Sequence, residues 1–174
     1  MKKIILLFIT FLIFISVSFA LTSPRWMTQP IRVYVPSNTS YTALMKKAFS
    51  TWETKSNGIV KFKYVSKESE AGIVVSFVDF VSCNSKNAVG CTSYGLVKNG
   101  HYTKIYVSIG TKDLVQKNKE RSQNHLYGVM LHEIGHAIGL GHSVFPQSVM
   151  YGCDLNKLQY LTDDDMKLLY NKYR

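Results

Sequence analysis

Proline, cysteine and acidic residues are all scarce in this chain. Four prolines and 11 glycines in 174 residues leave no Pro/Gly-rich tract. No segment repeats at a fixed period, so a low-complexity linker and a solenoid are both excluded. Eleven acidic residues stand against 21 Lys and Arg, a formal charge of +10. The excess base is scattered rather than striped and comes with no nucleic-acid-binding motif. It reads as solubility and weak attraction to anionic surfaces, and no nucleic-acid partner is expected. Apolar residues make up 46%, enough for a packed core and too many for wholesale disorder. The length suits one domain.

The N-terminal end reads differently from the rest. Lys2 and Lys3 precede an apolar run over residues 4–15 that only Thr10 interrupts, and Ser18 and Ala20 are small residues at signal-peptidase spacing. Residues 1–20 are therefore expected to be a secretory signal peptide, with an uncleaved anchor as the alternative, and residues 21–174 the folded domain. The apolar stretch is short for a membrane span, so no stable span is expected after cleavage. No cysteine follows it to carry a lipid. The expected location is extracellular or periplasmic, where a pair among Cys83, Cys91 and Cys153 should bridge. Cys83 and Cys91 bracket a polar loop and are the favoured pair; the two other pairings stay open.

Residues 31–35 alternate and stop at Pro36, a strand pattern. After the capping-type residues 37–40, Tyr41, Leu44, Met45, Ala48 and Trp52 recur at helical spacing, and Gly58 ends that helix. Residues 60–65 and the apolar run 71–77 read as strands. Asn99 and Gly100, between the β-prone runs 93–97 and 102–109, signal a hairpin whose turn residues both reach positive φ. Residues 111–124 read as a loop. Leu126, Val129, Met130, Glu133 and Ala137 then return to helical spacing, and this helix stops near Gly139 and Gly141. A last helix starts after Thr162 as N-cap, with acids in its first turn. The order implies a mixed sheet with one antiparallel edge.

The segment that carries chemistry is His132-Glu133-Ile134-Gly135-His136, followed by Gly139 and His142. Four helical residues turn by about 400° and rise about 6 Å, so His132 and His136 point to one side. Gly139 can take left-handed geometry and end the helix, and the chain can bend back so that His142 adds a third nitrogen. Three neutral imidazoles suit a tetrahedral zinc with one position open to water, whose pKa the metal lowers toward about 7. Glu133 sits beside the metal without ligating it and can accept the water's proton.

With Ser143 after the third histidine and Ser148-Val149-Met150-Tyr151 soon after, this motif resembles that of the matrixin-type metzincin proteases. The resemblance covers most of residues 26–174, including Trp26, Ala48, Phe49, Trp52 and the run 71–77. It implies an α+β metzincin fold: a twisted, mixed five-stranded sheet with one antiparallel edge strand, and three helices. It implies a secreted zinc endopeptidase with His132, His136 and His142 as ligands, Glu133 as general base and Met150 in a Met-turn beneath the metal. An extended protein or peptide substrate would add to the edge strand, placed at residues 93–97 with Tyr94, Gly95 and Leu96 as contacts. The specificity wall would come from the segment around residues 151–160.

The departures from the family are specific. No histidine and aspartate set like the family's structural zinc site follows Phe77, and the calcium loops are missing, so one catalytic zinc is expected and neither a structural zinc nor a calcium. His101 and His125 are solitary, and Gly152 stands where many matrixins have proline. No cysteine precedes the domain to mask the metal, so restraint is expected from a protein inhibitor, metal supply or secretion. A monomer is expected. The competing reading is a zinc-binding module that recognises peptides without cleaving them; binding alone would not need Glu133.

Overall fold

The computed structural model describes residues 24–83, 88–152 and 160–174. The signal-peptide reading of residues 1–20, Cys153 and most of the expected specificity wall lie outside those residues. The first strand, β1 (Ile31–Tyr34), turns Ile31 and Val33 into the core. Helix α1 (Thr42–Lys55) buries Met45, Ala48 and Trp52 of the residues its spacing predicted, together with Phe49; Leu44 is half-buried and Tyr41 stands just before the helix. Strands β2 (Phe62–Tyr64) and β3 (Ile73–Val78) follow. Then come β4 (Gly90–Tyr94), the short β5 (Val97–Lys98) and β6 (His101–Tyr102), and β7 (Ile105–Gly110). Helices α2 (Gln123–Ala137) and α3 (Asp163–Tyr173) complete the fold.

The five-stranded sheet runs β2-β1-β3-β7-β4, parallel throughout except where β4 pairs antiparallel with β7 at one edge. This is the mixed sheet with three helices that the residue pattern implied. The expected edge strand moves: β4 begins at Gly90, three residues before the predicted start, and of the expected substrate contacts only Tyr94 lies in it. Gly95 and Leu96 continue past its end. Gly95 N–H donates to the Lys104 carbonyl at 3.0 Å, and the Leu96 carbonyl accepts from Thr103 at 2.9 Å. One register therefore runs from Gly90 opposite Ile109 to Lys98 opposite His101. The Asn99–Gly100 turn closes it with φ of 50° and 73°, the mirror-image turn that suits right-handed strand twist. The early start had no apolar alternation to mark it, because Gly90, Thr92 and Ser93 are small or polar.

Helices α1 and α2 pack together on the sheet. Trp52 Nε1–H donates to the Leu131 carbonyl at 2.9 Å, and Trp26 Nε1–H donates to the Ala137 carbonyl at 2.7 Å. Two tryptophans thus bury their rings while satisfying their only donors, and both bonds end on α2. Helix α2 starts three residues before Leu126, because Ser122 caps it by accepting from His125 N–H at 3.3 Å. Among the described residues no helix is long and apolar enough to cross a membrane.

Cys83 and Cys91 are disulfide-bonded, the favoured pairing. The bond ties β4 to the chain eight residues earlier. Cys83→Ser is expected to lower the unfolding free energy by about 2–3 kcal/mol on the chain-entropy account, read from urea denaturation of the oxidised proteins.

Candidate metal centre

His132 is buried, His136 half-buried and His142 exposed, so the trio runs from core to solvent. His132 and His136 sit one turn apart on α2. The helix ends at Ala137, and Gly139, at φ 95°, reverses the chain so that His142 returns to the same place. The His136 Nε2 atom lies 3.0 Å from His132 Nε2 and 3.2 Å from His142 Nε2. Nitrogens around a tetrahedral zinc with bonds of about 2.0–2.1 Å stand about 3.3 Å apart, close to these two separations, and the ligand atoms of all three rings lie within 4.8 Å of one another.

The opposite ring edges settle which atoms are available. His132 Nδ1 lies 2.7 Å from the Val149 carbonyl, and His136 Nδ1 lies 2.8 Å from the Leu140 carbonyl. A carbonyl only accepts, so each Nδ1 must carry the hydrogen, and each Nε2 presents a bare lone pair. Burial, reinforced by the neighbouring imidazoles, drives the His132 pKa down to about 4, and His136 is lowered mainly by burial. These are neutral acceptors converging on one point, a donor set for a nitrogen-preferring cation. Among the described residues they form the one cluster of metal-ligand geometry. His101 and His125 do not join it; His125 lies 3.5 Å from an Arg121 nitrogen.

The Val149 carbonyl belongs to the turn of residues 148–151, where the family resemblance implies a Met-turn. Tyr151 N–H donates to the Ser148 carbonyl at 3.1 Å, and Ser143 N–H donates to the Met150 carbonyl at 2.8 Å. The buried Asp165 carboxylate holds this turn by accepting from Ser148 Oγ at 2.5 Å and from Val149 N–H at 3.2 Å. The same carboxylate accepts from Thr162 N–H at 2.8 Å, closing the capping box of α3. Met150 is fully buried beneath α2, and a Cβ on Gly135 would overlap its sulfur. Gly135 is therefore the position in the histidine motif that lets the turn pass under the helix.

Glu133 is 5% exposed and points toward the edge strand. Its Oε2 accepts from Thr92 Oγ1 at 2.6 Å. A Cβ on Gly90 would lie 2.5 Å from Glu133 Cγ and Oε1. Burial raises its pKa to about 7, and the Thr92 hydrogen bond opposes that shift. Sequence reading named Glu133 but neither Thr92 nor Gly90, because contact across 41 residues leaves no local signal. Tyr94 is half-exposed; its ring stacks on Tyr102 at 5.4 Å and its hydroxyl approaches the His136 carbonyl at 3.5 Å. Leu96 is 64% exposed.

Comparison with known proteins agrees with this geometry. A family model described as Matrixin matches residues 26–174. Stromelysin-1 of Mus musculus is 27% identical over 171 residues, a match that takes in 87% of this chain and 33% of that protein. The chain thus spans about a third of the length of the curated relative it matches. The solved structure of Myroilysin shares the fold, with a TM-score of 0.58 at 16% identity over 88% of this chain and 83% of that one.

Two outcomes follow from the packing and the charges. Gly135→Ala should lower the unfolding free energy by about 1–3 kcal/mol through overpacking against Met150, measured by urea denaturation. In metal-free protein, a Glu133 pKa raised to about 7 means the folded state keeps a proton that the unfolded state releases. That contribution is full below about 4.5 and is lost as pH rises through about 7. Glu133→Gln lacks it, so its stability relative to the parent should grow across this window in urea midpoints taken with chelator present.

Proposed function

The chain belongs to the matrixin family, a zinc metalloprotease family, and from that premise we propose that it is a secreted zinc endopeptidase with Glu133 as general base. The observation that carries the reading is the convergence of three imidazole Nε2 atoms, two of them committed as acceptors, with a buried carboxylate one residue after the first. His132, His136 and His142 would hold the ion. Zinc there supplies Lewis acidity, which makes water a nucleophile near neutral pH and polarises a scissile carbonyl.

The chain's own groups do the rest. Glu133 accepts a proton from the attacking water and delivers it to the departing amine. In the metal-free protein, burial holds its carboxyl above the ordinary glutamate range. The Met150 turn supports the ligand helix from below and fixes the His132 ring through Val149. The outer edge of β4 is open among the described residues, and an extended peptide can pair with it by main-chain hydrogen bonds. Such pairing carries little side-chain selectivity, which falls to the segment after Met150. Secretion is supported by the signal-like N-terminal pattern and by the Cys83–Cys91 disulfide.

Purified protein should bind one zinc, cleave casein, lose that activity to a chelator and regain it with added zinc. Glu133→Ala should keep the metal and lose about 10²- to 10⁴-fold in kcat, the usual range for a general base. Stoichiometric zinc with no turnover on any peptide would instead favour the recognition module, and full turnover by Glu133→Ala would end the assignment of the base.

A further inference from the structure

A general base must be held where its proton transfer occurs, and a glutamate has three rotatable bonds with which to leave. Among the described residues, Thr92 is the one side chain that hydrogen-bonds the Glu133 carboxylate. Its Oγ1 lies 2.6 Å from Oε2 and 3.0 Å from the Glu133 backbone carbonyl. It therefore meets the glutamate at both ends, at the helix backbone and at the carboxylate. Threonine suits this task because its branched Cβ stiffens χ1. Its backbone is fixed as well, paired opposite Val107 in the sheet. Gly90, two residues earlier on the strand, leaves the volume that the Glu133 side chain fills.

We propose that Thr92 is the positioning residue of Glu133: its hydroxyl, carried by the edge strand, holds Oε2 and leaves Oε1 as the oxygen that receives the proton. The inference rests on Glu133 being the base and adds what orients it. The hydrogen bonds of the Thr92 hydroxyl go to Glu133 and not to the ligand histidines, and on this reading it does not meet the reacting atoms. It acts by confining the carboxylate, so its loss changes the rate of proton transfer and leaves metal binding intact. Because the hydroxyl rides on β4, the strand proposed to bind substrate also positions the base.

The test compares Thr92→Val, which keeps shape and removes the hydroxyl, with Thr92→Ser, which keeps the hydroxyl. Both are assayed on an internally quenched peptide taken from the protein's casein cleavage sites, with zinc content measured on the same samples. Thr92→Val should lose about 10- to 100-fold in kcat, with KM held within about twofold and zinc content unchanged, and Thr92→Ser should recover most of the rate. In metal-free protein, the urea midpoint shifts of Thr92→Val and Glu133→Gln should fail to add in the double variant. Parental kcat in Thr92→Val beside an inactive Glu133→Gln would overturn the proposal, and so would additive shifts. Should the parent bind zinc and cleave nothing, the reading of Glu133 as base fails by itself; the metal-free cycle still decides whether Thr92 holds the carboxylate.

Discussion

Two backbone carbonyls decide what the histidines can do. The Val149 and Leu140 oxygens claim the Nδ1 hydrogens of His132 and His136 and turn both Nε2 lone pairs inward. At 3.0 Å those lone pairs repel each other, more strongly where water is excluded. A proton between them would relieve the repulsion, but burial opposes charge on either ring. A divalent cation held between them would relieve it. On the proposed reading, the preference for a metal comes from these outer contacts as much as from the histidines themselves.

Those carbonyls stay in place because several distant segments converge on α2 and on the turn beneath it. Asp165, from the last helix, binds the turn that contains Val149 while completing its own helix cap. One carboxylate thus serves a local purpose, the capping box, and a tertiary one. Trp26 and Trp52 clamp α2 by hydrogen bonds to its carbonyls. Gly135 then allows Met150 to approach the helix as closely as it does. Helix α2 is thus held by contacts from several separate segments of the chain.

How much of this could be read from residues alone depends on the range of each signal. The histidine spacing is local, and the three rings do meet. The Asn99–Gly100 turn is local too, and through its register it sets the pairing of the whole hairpin back to Gly90. The start of β4 escaped, since small and polar residues there carry no alternation. The acids in the first turn of the last helix complement its dipole, but the reach of Asp165 to the turn at Val149 spans 16 residues and leaves no trace in spacing. Thr92 and Gly90 were invisible for the same reason: their partner, Glu133, lies on a different element.

The edge strand joins these threads. Its inner side is committed to β7, and its outer side is open among the described residues. It is anchored near its N-terminal end by the Cys83–Cys91 bond and carried at the other end by the Asn99–Gly100 turn. Between those anchors Thr92 reaches Glu133. On the proposed reading, a peptide that adds to this edge meets a strand already ordered, so binding need not bear the entropy of ordering it. The same rigidity keeps the carboxylate in register with whatever lies along the strand. A loop carrying the same hydroxyl would give the hydrogen bond without that coupling, because its motion would move the base independently of the substrate.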